Sequence, residues 1–388
     1  MPTERLVVAG EASGDRAAAA VLAALGGEHH AFGLGGPACA AAGLTRISEP
    51  AFGAVGFFDV LRRGTAVVRS FCAALAAART RRPAAALLVD YTEFNFHLAP
   101  RLRDIGTRVL WYVAPQVWAW RPSRLRTLPP RIDAMAVLLP FEEALWREAG
   151  VDADYVGHPS IHAASSTTRD AVRRELSLDG TTVALLPGSR PSEVRRLLPP
   201  MLDAVMRLRL DSASFRARLI LAASLDGEIA TWARRLAAHA YVPVVDAPID
   251  GAARILGGFD GSLCASGTAS LEAALAGAAP VVSYLTDALT ARVVSSMLRT
   301  PFVALPNVLL GRPIWPELLQ DDATGPKMAR AMRNVLERRA SFDDAARELR
   351  VCLGEERKPA SLVASRLRRW LRESQSPRSP CPAPCARG

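Results

Sequence analysis

Membrane-spanning length is missing from this 388-residue chain. No apolar run approaches the ~20 residues that a spanning helix needs, and the longest, such as Pro83–Val89, are strand-sized. The start, Glu4 and Arg5 ahead of Leu6-Val7-Val8-Ala9, lacks the basic, long-apolar, small-residue plan of a secretory signal, so a cytoplasmic location is expected. Lysine is nearly absent: apart from Lys327 and Lys358, all of the 48 basic residues are arginine. Beside so many Ala-rich stretches, that bias reads as GC-rich coding as readily as it reads the formal charge of +10 as affinity for nucleic acid or phospholipid. The six cysteines contain no CxxC, which excludes a disulfide framework and a zinc site as expectations. No 20–50-residue repeat is present, excluding a solenoid. Hydrophobic residues at 50% and charged residues at 22% exclude a disordered polymer and leave a soluble protein of two or three domains.

Short apolar runs alternate with longer Ala-rich helical stretches, the rhythm of parallel sheets covered by helices. Strands are expected at Leu6–Ala9, Ala31–Gly33, Ala84–Val89, Arg108–Tyr112, Ala134–Leu138 and Asp154–Val156. After a polar stretch, Ala163–Thr168, the pattern restarts at Thr182–Leu186, Arg218–Ala222, Val242–Val245, Gly261–Cys264 and Pro280–Tyr284. The fold class is therefore α/β, with two similar doubly wound domains joined near residues 157–170 and a ligand expected in the cleft between them. Domains are drawn at 1–160 and 161–350. Leu362, Val363, Leu367, Trp370 and Leu371 recur at helical spacing among Arg366, Arg368, Arg369 and Arg372. Residues 351–373 thus read as an amphipathic helix packed on the protein with solvated arginines. The tail 374–388 has too little apolar surface to order.

Several segments carry candidate chemistry. Gly10-Glu11-Ala12-Ser13-Gly14-Asp15 follows the first strand and opens a helix; it lacks the G-x-G-x-x-G pattern, but its N–H groups can meet an anion, and Ser13 or Asp15 can cap the helix. Asp90 ends a fully apolar strand, where open α/β sheets hold ligands. Desolvation there suits a general base, and helix capping is the plainer alternative. Glu93 and Asn95 can share either task. The aromatic run from Trp111 to Arg121 offers faces for sugar rings, with Arg121 and Arg124 for phosphate, or else a buried aromatic loop. Gly188-Ser189-Arg190 and Ser266-Gly267-Thr268 are two small-residue turns suited to a diphosphate, with Glu272 one helical turn on for ribose hydroxyls, against a plain capping box. Asp152-Ala153-Asp154 is formally a DxD but reads as solvated surface. No metal is expected, and His158 sits at the joint between the domains.

In order, Ala9 to Asp15, Asp90 with Phe94-Asn95, Tyr112 to Pro115 with Trp118 to Arg121, Leu139 to Glu142, Gly157-His158-Pro159, Leu186 to Arg190 with Glu193, Ala265 to Thr268 with Glu272, and Leu305-Pro306-Asn307 with Pro316 to Gln320 resemble the lipid-A-disaccharide synthase family over residues 5–350. The resemblance implies the two-domain GT-B fold, its Rossmann-like domains facing a cleft: an acceptor- and membrane-facing domain at 1–160, and a UDP-sugar-binding domain at 161–350. It implies an inverting transfer of 2,3-diacylglucosamine from its UDP derivative to 2,3-diacylglucosamine 1-phosphate, with no cofactor. It assigns the base to Asp90, the far side of the cleft near the sugars or acceptor phosphate to Glu11, Ser13 and Asp15, and the nucleotide to Gly188, Ser189, Arg190, Ser266, Gly267, Thr268 and Glu272, with Asn307 and Gln320 lining the cleft. It also implies partners: the cytoplasmic face of the inner membrane, reached through Phe52, Val55, Phe57, Phe58, Val60 and Leu61 followed by Arg62, Arg63 and Arg69, no nucleic acid, and room for a homodimer.

One departure stands out. The family usually has Pro-Asp where this chain has Thr92-Glu93, which lets Glu93 displace Asp90 or act as the base in its stead. Two alternatives accompany the main reading. One is a different UDP-sugar enzyme on the same fold, such as an epimerase; the other is a non-catalytic lipid- or RNA-binding protein, to which the charge and Glu93 point.

Overall fold

The structure, a computed structural model, describes residues 4–27, 30–48, 57–119, 121–225, 227–248, 251–286 and 300–375, with side chains described from 64 in the segment that begins at 57 and as far as 374 at the end. Seven parallel strands make the first sheet: β1 (Arg5–Ala9), β2 (Ala31–Leu34), β3 (Thr45–Arg46), β4 (Ala85–Val89), β5 (Arg108–Tyr112), β6 (Ala134–Val137) and β7 (Ala153–Tyr155). They lie in the order β3-β2-β1-β4-β5-β6-β7. The second sheet has β8 (Thr182–Leu186), β9 (Arg216–Leu221), β10 (Val244–Asp246), β11 (Gly261–Ala265), β12 (Pro280–Tyr284) and β13 (Glu317–Leu319), in the order β10-β9-β8-β11-β12-β13.

The central strands are apolar throughout because both of their faces are covered. In β1, Leu6 and Val8 face the core formed with helices Phe57–Arg81 and Thr92–Asp104, while Val7 and Ala9 face helices Ala12–Leu25 and Pro359–Gln375. The second sheet repeats this arrangement: Val183 and Leu185 pack toward helices Pro191–Asp211 and Gly325–Glu337, and Ala184 and Leu186 toward Val172, Ile255 and Ala273. All the strands expected from the sequence form. The two unexpected ones, β3 and β13, are short edge strands.

The polar joint is not an open linker. Residues Ser160–Ser165 form a helix whose Ile161 and Ala164 enter the core of the second sheet. At the other end the chain crosses back. Helix Arg339–Cys352 belongs with the second sheet, residues 353–358 turn, and helix Pro359–Gln375 lies against Ala12–Leu25 of the first. The two crossings touch: Tyr155 Oη donates to Leu353 O at 2.6 Å, Arg357 donates to Tyr155 O at 2.7 Å, and Gly157 (φ +92°) leaves room only for the Arg357 side chain. One expectation is corrected here. Arg366 is not solvated but buried, and it donates to both Asp152 and Asp154. Those two carboxylates are solvent-exposed, as expected, and at the same time pair with the C-terminal helix.

Candidate active site

In each sheet the strand order reverses once, between β1 and β4 and between β8 and β11. Loops diverge at such a point and leave a crevice at the carboxyl ends of the strands. Glu11 follows β1 and Asp90 follows β4, adjacent because Ala9 pairs with Val89. Arg190 follows β8 and Ser266 follows β11, brought together by the pairing of Leu186 with Cys264.

The first crevice is shaped by glycine. A Cβ on Gly10 would lie 2.2 Å from the Tyr91 ring, and one on Gly14 would lie 3.2 Å from Asp90 Cβ. Asp90 and Tyr91 both hold left-handed backbone, φ 49° and 48°, an arrangement a non-glycine residue adopts only when its surroundings impose it. Those surroundings are visible: Asn95 Nδ2 donates to Asp90 O at 2.6 Å, the Asp90 N–H donates to Tyr112 O at 3.0 Å, and the Tyr91 ring stacks on Phe94. Ser13 Oγ donates to Asp90 Oδ2 at 3.4 Å.

Burial pushes the Asp90 carboxyl up from its ordinary range, opposed by the Tyr91 backbone N–H, Ser13 and the Arg190 guanidinium. Burial likewise raises Glu11 to about 7; Arg190 opposes the rise while Asp90 and Glu193 add to it. Arg190, from the second sheet, thus acts electrostatically on both carboxyls of the first, and the two crevices face one another. A second link spans the cleft: Arg16 Nη2 lies 3.9 Å from Glu272 Oε1.

On the second side, Gly188 (φ +115°) has no side chain where Glu193 tucks beneath the turn; a Cβ would meet Glu193 Oε2 at 2.3 Å. Glu193 accepts from Ser189 N at 3.2 Å and from Arg190 at 2.9 Å, holding the guanidinium in the cleft. Helix Thr268–Leu275 starts at Gly267 (φ +130°) with no side-chain cap, and Ser266 Oγ donates to Val303 O at 3.1 Å. The capping-box alternative for this turn therefore does not apply. Thr268 is exposed at the helix start and Glu272 lies one turn along, nearly buried. Gln320, at the end of β13, accepts from Thr286 N at 3.3 Å.

Several expectations are corrected. Asn307 does not line the cleft: it is fully buried, its amide donating to Trp315 O and Glu317 and its oxygen accepting from Ile314 N and Trp315 N. Glu93 does not displace Asp90: its exposed carboxylate is paired with Arg121 and Arg124, while Asp90 accepts from Ser13. In this structure those two arginines pair with Glu93. Asp15 neither caps its own helix nor faces the cleft: buried, it accepts from Gly36 N, Ala38 N and Cys39 N at the start of the next helix. In the aromatic run, Trp111 and Tyr112 are core residues, and Trp118 Nε1 donates to the buried Glu142. Trp120, Phe52 and Val55, and the side chains of Phe57, Phe58, Val60, Leu61, Arg62 and Arg63, lie outside the described residues; Arg69 is exposed on helix Phe57–Arg81. Sequence reasoning passed over the positioning roles of Glu193 and Glu317. Spacing gave Glu193 away, three residues from Arg190 in a first turn. Glu317, which accepts from Val303 N and Ala304 N, had no local signal.

A family model described as lipid-A-disaccharide synthetase matches residues 6–361. The lipid-A-disaccharide synthase of Myxococcus xanthus (strain DK1622) is 40% identical over 342 residues, 86% of this chain and 88% of that protein. Among solved structures, the S. aureus MnaA–UDP complex aligns with a TM-score of 0.64 at 10% identity, covering 97% of this chain and 99% of the other. A calicheamicin glycosyltransferase aligns at 0.58 and 13% identity, covering 97% and 100%. These two likenesses speak for the fold, the two-domain GT-B arrangement. With a family match across nearly its whole length, the chain belongs to the lipid-A-disaccharide synthase family of glycosyltransferases.

Proposed function

We propose that this cleft moves 2,3-diacylglucosamine from its UDP derivative to O6 of 2,3-diacylglucosamine 1-phosphate, releasing UDP. The unit around the first sheet, roughly residues 1–160, holds the acceptor; the unit at 161–350 holds the nucleotide. The observation that carries this reading is Asp90, a half-buried carboxyl whose proton affinity desolvation raises and the Arg190 guanidinium across the cleft lowers. Asp90 takes the proton of the attacking 6-hydroxyl while the oxygen bonds to the anomeric carbon from the face opposite the leaving diphosphate, so the centre inverts. Ser13 steadies the carboxylate through Oδ2. Glu11, at about 7, keeps its proton below neutrality, so only one of the two neighbouring carboxyls need be charged.

The diphosphate gains negative charge as it departs, and preplaced donors lower that barrier. Arg190, held by Glu193, and the N–H groups at the start of helix Thr268–Leu275 supply them, with Gly188, Ser189, Ser266 and Gly267 shaping the two turns and Glu272 receiving ribose hydroxyls. Gln320 borders the same side. Both substrates carry acyl chains whose exposure to water costs ~0.8 kcal/mol per methylene, so the enzyme works at a membrane surface, the cytoplasmic face of the inner membrane. Among the described residues no helix is long and apolar enough to cross a membrane, in keeping with peripheral attachment.

The test is mass spectrometry of the purified protein with both diacyl substrates, where a disaccharide phosphate and UDP are expected. Asp90→Asn should lower kcat by roughly 10²- to 10⁴-fold with the KM for donor little changed. Full turnover in that variant would remove Asp90 from the mechanism.

A further inference from the structure

Arg16 has no part in that reading, yet its side chain crosses the cleft. It rises from the second turn of helix Ala12–Leu25 in the first unit and ends beside Glu272 in the second, with Nη2 3.9 Å from Oε1. The guanidinium also rests against the backbone at Gly251, where a Cβ would stand 3.4 Å from its Cζ, Nε and Nη2. Gly251 has φ +108°, so the surface under the guanidinium is one that a side chain rarely occupies. The partner carboxylate is nearly buried while Arg16 is about one-third exposed, side-chain values of 10% and 30%. A pair this long with one member in solvent is weak and readily exchanged. Glu272 lies four residues beyond Thr268, hence ~6 Å along the axis from the helix start at 1.5 Å per residue, within the swing of an arginine side chain.

We propose that Arg16 is a nucleotide-exchanged ligand of the diphosphate, supplied from the opposite unit. The inference rests on the nucleotide reading of the cleft given above and adds a residue to it. Ribose hydroxyls and the Arg16 guanidinium compete for one carboxylate. When the ribose takes Glu272, the guanidinium turns along the helix toward its N-terminus, where a diphosphate gathers, and pairs with phosphate oxygens in the planar fork that suits them. Arg190 then meets the diphosphate from one side and Arg16 from the other, and the contact draws the two units together on a nucleoside diphosphate. A nucleoside without phosphate must displace Arg16 from Glu272 and offers it no new partner. Arg16 thereby makes the site discriminate for the diphosphate and against the bare nucleoside.

The two ligands should respond differently to loss of the guanidinium, which a merely structural arginine would not produce. Calorimetric titration of the full chain with UDP and with uridine, on the unsubstituted protein and on Arg16→Gln, reads this directly. In the variant, UDP binding should weaken about tenfold while uridine binds at least as tightly as before, and Arg16→Lys should recover part of the UDP affinity. Parallel weakening of both ligands, or no change in their ratio, overturns the inference alone. If the unsubstituted protein does not bind UDP, the nucleotide reading itself is overturned and this inference with it.

Discussion

At Gly10 a single methyl group would decide the geometry of the first crevice. Its nearest neighbours would be the Tyr91 ring atoms at 2.2 Å, so Gly10→Ala must push the ring off Phe94 and disturb the left-handed backbone that aims Asp90. Overpacking of this kind costs about 1–3 kcal/mol. The expected outcome is a loss of that size in urea unfolding together with a fall in kcat. Tyr91→Ala in the same chain should return part of the stability, since the two changes share one cause and a double-mutant cycle will show coupling. Residues of this kind mark how far the sequence could be read. Asp90 was legible because an apolar strand ending in a carboxylate announces a buried group at a sheet edge. Asn307 was misread as cleft-lining because a motif gives a position in the chain but not a direction. Its four hydrogen bonds run inward to Trp315, Glu317 and Ile314. Arg16 carried no signal, since its partner comes from the other end of the fold.

Among elements, helix Pro359–Gln375 shows what packing adds to pattern. Of its apolar positions, visible at helical spacing, Val363, Leu367, Trp370 and Leu371 are buried against helix Ala12–Leu25 and the first sheet, whereas Leu362 is exposed. What its arginines do was hidden. Arg366 reaches Asp152 and Asp154, and Arg108 stacks on Trp370 with its Cζ 4.2 Å from the ring centre. Trp370→Ala should destabilise the protein by about 3–5 kcal/mol, measured as a lower urea midpoint with an unchanged slope; a near-neutral result would mean that this helix contributes little to the fold. The longer strands were legible from their apolar runs, whereas β3 and β13, two and three residues long, are too short to leave a periodicity. Helix Ser160–Ser165 escaped because six residues need only Ile161 and Ala164 on one face, and the rest of the segment reads as polar linker.

For the whole molecule, buried ionisable groups set how stability follows pH. Glu142 accepts from Trp118 Nε1 and from Leu139 N, and burial raises it from an ordinary value of 4.5 to about 7. Its folded proton affinity exceeds the unfolded one, so between those values the native state binds more protons. That stability is present at low pH and is lost as pH rises toward 7. Buried His158 has the opposite sign: lowered from 6.5 to about 4, it destabilises as pH falls through that interval because the unfolded chain takes the proton. Glu142→Gln should shrink the loss of stability between pH 5 and pH 8 by about 1–2 kcal/mol. Comparing urea midpoints at the two pH values cancels any constant cost of the altered hydrogen bond to Leu139.

The chain passes between its halves twice, near Gly157 and again at 353–358, and these passages are tied to each other through Tyr155, Leu353 and Arg357. Tied at one place, they form a single joint rather than two separate linkers. Loosening either passage therefore also frees the other, since Tyr155 bonds to Leu353 and to Arg357 at once.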